Sequence, residues 1–330
     1  MPEAISIFIS AGEASGEHYG ALLTAALQRR MVQARRSARF LGMGGVRMAA
    51  AGLERVVRAE DVAVMGLTEV VRHLPQIYRE FRKLKRAIRK SRPAVAVLID
   101  SPEIHLRLAK EFHRLGIPVI YFVSPQLWAW KKHRIRLVQR YVRRMLVIFP
   151  FEEAWYRERG VEAEYVGHPL ADLPIPKGPF GLLHARKPAD PPRQPPRHIF
   201  ALLPGSRRKE VQMNLPTMLQ AAARIDAKDA FVVPVPETVP PRVVDRQLGG
   251  SRLWINTMHD ARKALAMSRA AVVASGTATV EAALIGTPFA MPLPRIMMSG
   301  VTPAASEANI EPVRPKPVII SSAISSAPCR

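Results

Sequence analysis

A chain of 330 residues, 48% hydrophobic and 23% charged, is long enough for two domains with separate cores and has a globular composition. Lys and Arg outnumber Asp and Glu by 49 to 27, a net charge of +22 that favours a polyanionic partner: nucleic acid, an anionic membrane surface or a phosphorylated substrate. The one cysteine, Cys329, excludes an intrachain disulfide and a multi-cysteine zinc site, and no window approaches the ~20 uninterrupted apolar residues of a membrane-spanning helix.

The N-terminus, MPEAISIFISAGEASGE, holds a short apolar run without a basic flank, so it reads as a first strand and not as a signal peptide. With the cysteine-free interior, this predicts a cytoplasmic protein, soluble or peripherally membrane-bound. Ile5 to Ile9 is the strand, followed by a Gly-containing turn and a helix from about Gly16 to Arg30. Ala38 to Met43 is a second strand. From Leu74 to Ser91, apolar Leu74, Ile77, Tyr78, Phe81, Leu84 and Ile88 recur at three- and four-residue spacing, the period of a helix. Ala94 to Ile99 is a buried strand, as are Pro118 to Val123 and Arg144 to Phe149. Strand–helix alternation of this kind predicts a parallel sheet covered by helices on both faces.

Leu173 to Arg197 is rich in proline and basic residues and lacks apolar periodicity, so it reads as a linker or disordered insertion between a domain at 1–172 and another at 198–290. The second α/β unit has strands at Ile199 to Leu203, Ala230 to Pro234 and Ala271 to Ala274, then a helix from about Ala278 to Ile285. Beyond Pro288 the chain is rich in Pro, Ser and Ala, and residues 291–330 are expected to be a disordered or foreign tail. No internal repeat is present.

Four strand–helix turns carry candidate chemistry. Ser10 to Glu17 (SAGEASGE) offers glycines for close backbone approach and a helix N-terminus. Its glutamates would repel phosphate and point to hydroxyl contacts, as to a sugar; a helix cap of small residues is the plainer reading. Asp100, directly after a buried strand, stands where ligands of open α/β sheets bind and could act as a general base. Spacing alone favours an N-cap role for it. Pro204-Gly205-Ser206-Arg207-Arg208-Lys209-Glu210 lacks P-loop spacing, but its backbone N–H groups and Arg207 could hold a diphosphate; a solvated basic turn fits equally well. In Ala274 to Glu281, Thr277 and Thr279 could bind phosphate while Glu281 accepts from ribose hydroxyls; the other reading is a capped helix with an exposed Glu. Two such turns in one domain with an arginine pair tip the balance toward a nucleotide diphosphate.

A fifth stretch, Ser124 to Arg134, sets Trp128 and Trp130 beside Lys131, Lys132, His133 and Arg134, a mixture suited to a membrane interface or a stacked ligand. The basic helix around Arg79 to Arg92 could add attraction to anionic lipid. A solvated helical face with packed indoles is the alternative. No nucleic-acid-binding module is recognisable. The histidines, among them His18, His105, His133 and His168, lack metal-ligand spacing, and Gly167 and Pro169 mark an interdomain hinge.

Taken in order, SAGEASGE, GMGG, VMGLTEV, IDSPEIHLRLAK, YFVSPQLWAWKKHR, FPFEEAWY, YVGHPL, LLPGSR and ASGTATVEAAL resemble the lipid-A-disaccharide synthases over residues 5 to about 290. The resemblance implies α/β architecture of GT-B type, two Rossmann-like doubly wound domains facing a cleft. It implies transfer of diacylglucosamine from UDP to diacylglucosamine 1-phosphate, with inversion, a β-1,6 linkage and no metal or other cofactor. Asp100 is then the base and Arg207, beside Ser206, stabilises departing UDP. Glu13, Ser15 and Glu17 line the sugar side, and Ser275, Gly276, Thr277, Thr279 and Glu281 hold the nucleotide. Acylated substrates imply a peripheral place on the inner face of the inner membrane, with Trp128, Trp130, Lys131, Lys132 and Arg134 toward anionic lipid, and no nucleic-acid partner. The family continues past ATVEAAL with a further strand, an Asn-containing loop and a closing helix that are not found here. The second domain is therefore expected to be cut short, and an inactive remnant retaining lipid or UDP binding is the alternative to an active transferase. Other UDP-sugar enzymes of the same architecture, such as a 2-epimerase, are disfavoured by SAGEASGE and SPQLWAWKKHR.

Overall fold

A strand buried on both faces must be apolar almost throughout; VAVLI meets that demand outright, and ISIFISA does so apart from Ser6 and Ser10. In the computed structural model they are the two central strands of a parallel sheet, with Ile7, Phe8, Ile9 and all of Val95–Ile99 excluded from solvent. The structure describes residues 4–63, 70–177, 184–186, 196–225, 229–235, 239–249 and 251–292. Most of the VMGLTEV motif and all of the tail beyond residue 292 lie outside the described residues. The chain divides into two compact units, one running to Asp172 and the other starting at Leu173.

The first unit alternates strand and helix: β1 (Ile5–Ala11), α1 (Ala14–Gln33), β2 (Ala38–Gly44), α2 (Val46–Ala50), β3 (Leu53–Arg58), α3 (Ala59–Ala63), α4 (Val70–Ser91), β4 (Val95–Ile99), α5 (Pro102–Arg114), β5 (Val119–Phe122), α6 (Ile135–Tyr141), β6 (Arg144–Val147), α7 (Pro150–Arg157) and β7 (Ala163–Tyr165). The seven strands lie in the order β3-β2-β1-β4-β5-β6-β7, all parallel. The helix periodicity read from Leu74 onward is correct, and α4 starts four residues earlier, with Pro75 inside it. Its Leu84 and Ile88 join Phe8, Leu98, Phe112 and Tyr121 in one core. Each such side chain, fully buried, contributes roughly 1.5–3 kcal/mol.

The second unit contains β8 (His184–Arg186), β9 (Ile199–Leu203), α8 (Arg208–Ala222), β10 (Ala230–Pro234), α9 (Pro241–Leu248), β11 (Trp254–Met258), α10 (Ala261–Ala266), β12 (Ala270–Val273), α11 (Thr277–Ile285) and β13 (Phe289–Ala290). Its sheet runs β13-β12-β9-β10-β11-β8, parallel except for β8, and β13, just after α11, corrects the reading that no further strand follows ATVEAAL. The proline-rich stretch is therefore not wholly irregular: His184–Arg186 pairs antiparallel with Thr257, Asn256 and Ile255 along the edge of β11. Leu202, Leu215, Met218, Phe231 and Val233 fill the core on one side of this sheet, and Leu203, Val232, Leu265 and Val273 fill the other.

Candidate functional site

In an open parallel sheet the connections from two neighbouring strands diverge to opposite sides at one point, leaving a crevice at their carboxyl ends. In the first unit that point lies between β1 and β4, which pair from Ile7↔Val95 to Ala11↔Ile99. SAGEASGE follows β1 and IDSPE follows β4, so topology brings together two motifs almost ninety residues apart. They touch closely. A Cβ built on Gly12 would lie 2.7 Å from Ser101 Oγ, and one built on Gly16 would lie 3.6 Å from Asp100 Cβ. Asp100 thus leans on the first turn of α1.

The turn carrying Asp100 is strained. Asp100 and Ser101 have φ of 53° and 45°, consecutive left-handed residues that are not glycine. The N-cap of α5 is Ser101, not Asp100, which corrects the capping role that spacing favoured for Asp100. Ser101 makes no capping hydrogen bond through its side chain, and its buried Oγ has no hydrogen-bond partner. The main chain of Asp100 is tied down firmly. Its N–H donates to Phe122 O (3.1 Å), and its carbonyl accepts from His105 Nδ1–H (2.7 Å) and the Tyr121 hydroxyl (2.5 Å). His105 Nε2 accepts from Ser10 Oγ at 2.8 Å. Complete burial holds the imidazole down at a pKa of about 4, so the ring is neutral at pH 7. Burial, reinforced by the nearby Asp100 carboxylate, raises that of Tyr121. Sequence reading missed this group because only tertiary structure brings His105 and Tyr121 onto one carbonyl and Ser10 onto the imidazole.

Of the glutamates in the first turn, Glu13 is exposed at the N-cap of α1. Glu17 Oε1 accepts the backbone N–H of Arg47 at 2.7 Å, so its carboxylate faces the start of α2. One oxygen of Glu17 thus joins the first turn of α1 to the start of α2. Ser15 is half-buried in the first turn of α1.

The SPQLWAWKKHR segment follows β5 at the same sheet edge and is fastened on two sides. Glu152, buried in α7, accepts from Ser124 Oγ (2.8 Å) and Trp128 Nε1 (3.1 Å), and burial raises its pKa. Glu103, two residues into α5, accepts from Lys131 Nζ (2.6 Å) and Arg134 Nη2 (2.8 Å). The Arg134 hydrogen bond, opposed by partial burial and aided by Lys131, lowers the Glu103 pKa to about 2. Of the five residues read from sequence as facing lipid, Lys131, Arg134 and the Trp128 indole N–H therefore have protein partners. Trp130, 57% exposed, and Lys132 remain on the surface, beside exposed Arg136, Leu137 and Arg140 of α6.

In the second unit the divergence lies between β9 and β12. The PGSR turn leaves β9, the SGTAT turn leaves β12, and Ala274 N–H donates to Leu203 O at 2.8 Å where they part. Both turns named from sequence thus meet at one edge. Within the first, Glu210 Oε2 accepts the backbone N–H groups of Ser206 (2.9 Å) and Arg207 (3.1 Å). Asn214 Nδ2 holds Pro204 O at 2.8 Å. In this structure the two N–H groups read from sequence as a diphosphate cradle are held by the Glu210 carboxylate, from the first turn of the helix that follows. Arg207 itself is 65% exposed, with a long ion pair of 3.7 Å to Glu210. In the second turn Ser275 and Gly276 are exposed and Thr277 is half-buried at the start of α11. Thr279 Oγ1–H donates to Gly276 O at 2.7 Å. Glu281 lies one turn further along α11, half-buried.

Among the described residues, His, Cys, Asp and Glu nowhere gather in the groups of three that a metal ion requires. Nor is any described helix long and apolar enough to cross a membrane.

Residues 7–293 match the family described as lipid-A-disaccharide synthetase. The chain is 52% identical over 310 residues to the lipid-A-disaccharide synthase of Acidobacterium capsulatum, covering 88% of this chain and 74% of that protein. It is 50% identical over 292 residues to that of Koribacter versatilis, covering 87% and 74%. Among solved structures it is similar to a UDP-GlcNAc 2-epimerase from Neisseria meningitidis bound to UDP-GlcNAc, with a TM-score of 0.56 at 10% identity over 88% of this chain and 82% of that one. At that identity the likeness concerns the fold, two parallel α/β units of GT-B type.

Proposed function

The chain belongs to the lipid-A-disaccharide synthetase family, and from that premise we propose that it joins UDP-2,3-diacylglucosamine to 2,3-diacylglucosamine 1-phosphate, giving the β-1,6 disaccharide 1-phosphate and UDP. It is a glycosyltransferase of lipid A biosynthesis. One observation supports the site reading above others: in each unit, two motifs distant in sequence converge where the strand connections diverge.

In this reading Asp100 is the general base. The acceptor hydroxyl oxygen attacks the anomeric carbon of the donor sugar from the face opposite UDP. Its proton passes to the Asp100 carboxylate as the bond from anomeric carbon to phosphate oxygen breaks. Attack from the opposite face inverts the anomeric centre. Charge builds on the departing diphosphate, and the exposed guanidinium of Arg207 stabilises it. Glu13, Ser15 and the unpartnered Ser101 hydroxyl contact sugar hydroxyls. Ser206, Ser275, Gly276, Thr277 and Glu281 belong to the nucleotide side, where Thr277 and Gly276 offer small groups at a helix start.

Acylated substrates place the protein at a membrane surface, and Trp130 and Lys132 with the basic face of α6 are the residues suited to contact it. Attraction to anionic lipid weakens at high salt, because exposed charges are screened beyond ~8–10 Å at physiological ionic strength.

The test is a turnover assay with UDP-diacylglucosamine and radiolabelled diacylglucosamine 1-phosphate, the products resolved by chromatography. Labelled disaccharide from the wild type, its loss in Asp100→Asn and a deep reduction in Arg207→Ala support the assignment. Unchanged turnover in Asp100→Asn removes Asp100 as base. Epimerised UDP-sugar in place of disaccharide overturns the transferase reading.

A further inference from the structure

We propose that His105 and Tyr121 are positioning residues for Asp100, clamping its main-chain carbonyl so that the strained turn after β4 holds the carboxyl group at the sheet edge. The proposal rests on Asp100 being the base.

Two consecutive left-handed residues with side chains are unfavourable and persist only where their surroundings enforce them. Here the enforcement is visible. A peptide carbonyl has two lone pairs, and both of those on Asp100 O are taken, one by His105 Nδ1–H and one by the Tyr121 hydroxyl. The donors come from different elements, α5 and β5, so the carbonyl is fixed in two directions. The imidazole is itself oriented from a third element, since Ser10 at the end of β1 donates to Nε2. That bond sets the tautomer: with Nε2 accepting, the proton sits on Nδ1 and faces Asp100. His105 and Tyr121 also pack edge to face, with ring centroids 6.3 Å apart. Both are completely buried, so water cannot replace either donor.

The chain of contacts therefore runs from β1 through His105 to the turn after β4, the two strands between which the crevice opens. Releasing the carbonyl lets the Asp100–Ser101 peptide relax toward ordinary backbone angles, which turns the carboxyl away from α1. Displacement of a catalytic group by a fraction of an ångström affects turnover more than substrate affinity.

Four variants separate the possibilities: Asp100→Asn, His105→Leu, Tyr121→Phe and His105→Asn. In His105→Asn the introduced side-chain amide can place its nitrogen where Nδ1 stood, keeping the donor to Asp100 O while dropping the Ser10 contact. In the disaccharide assay Tyr121→Phe and His105→Leu are expected to lower kcat about five- to tenfold, the size of one buried hydrogen bond, with KM for both substrates within about twofold. His105→Asn is expected to stay within about threefold of wild type. Independently of turnover, the carboxyl carbon of Asp100, followed by NMR in 13C-Asp-labelled protein, should change its titration midpoint in Tyr121→Phe and His105→Leu but not in His105→Asn. Wild-type kcat and midpoint in Tyr121→Phe and His105→Leu, with Asp100→Asn inactive, overturn the positioning role and leave the base. Equal losses in His105→Asn and His105→Leu with a lowered melting temperature assign the ring a purely structural role and also overturn it. An active Asp100→Asn variant overturns the base, and the proposal with it.

Discussion

Gly12 and Ser101 approach so closely that no larger side chain fits at position 12: a Cβ there would meet Ser101 Oγ at 2.7 Å and Ser101 Cβ at 3.2 Å. Gly12→Ala forces Ser101 to shift: turning its hydroxyl relieves the nearer contact, and the 3.2 Å approach to its Cβ must still open by a few tenths of an ångström. The substitution should cost about 1–3 kcal/mol of stability and most of the turnover. Ser101→Gly removes the obstructing atoms and suits a φ of 45°. The double variant should therefore recover stability beyond the sum of the single changes, read from urea midpoints as a double-mutant cycle. Additive effects would show that the two turns do not touch in solution.

Glu103 neutralises two cations, Lys131 and Arg134, beside the proposed membrane-facing surface. Glu103→Gln frees Lys131 and Arg134, so binding to vesicles containing phosphatidylserine should tighten about three- to tenfold at low salt, an effect lost in about 0.5 M salt (about 1 kcal/mol per basic residue near such a surface). The stability change at neutral pH should stay within about 1 kcal/mol, because Glu103 is more than half exposed. Its pKa falls on folding from 4.5 to about 2, so its contribution is present above pH 4.5 and lost as pH falls toward 2. In Glu103→Gln that part of the acid transition disappears.

His105 and His168 are neutral in the folded protein, each with a pKa brought down by burial from 6.5 to about 4. An unfolded chain takes up protons at these positions before the folded one does. Stability from this source is full above pH 6.5 and declines as pH falls through 6.5 toward 4. For fully buried His105 the loss is on the order of 3 kcal/mol. Urea midpoints measured from about pH 7.5 to 4 should show this slope, and His105→Asn should flatten it. A parallel slope in the variant would assign the acid sensitivity elsewhere.

In the proposed nucleotide site, a diphosphate reaching the N–H groups of Ser206 and Arg207 competes with Glu210, whose Oε2 accepts from both. Glu210→Gln keeps an acceptor for the turn and removes the negative charge. UDP affinity by titration calorimetry should rise about three- to fivefold, close to ~1 kcal/mol for one like charge removed at a solvated site. Weaker binding would mean that the carboxylate is needed to hold Arg207 in place.

The legible parts of the fold were those in which sequence pattern and burial coincide. β4 is apolar throughout because helices cover both of its faces, and α4 repeats its apolar residues because one face meets the core. β3, at a sheet edge, and β11, with buried Asn256 and Thr257, mix polarity and escaped notice. The motif turns were found because small residues and glycines mark close approach. Their partners were not: Glu152 under Trp128, Glu103 under Lys131 and Glu210 on the PGSR turn look in sequence like ordinary surface glutamates. The pairing of β1 with β4, which joins the two halves of the candidate site, depends on crossover topology that no local pattern encodes.

β8 shows how a short segment can bring a sheet to an end. Without His184–Arg186, the outer side of β11 would present a row of unsatisfied backbone groups, a template on which another polypeptide could lay a strand. Three residues cover that row, and the sequence after them carries Pro188, Pro191, Pro192, Pro195 and Pro196, none of which has an N–H to donate onward. Removing the segment should therefore not merely shorten a connection. It should leave β11 adhesive, and the protein prone to assemble with itself.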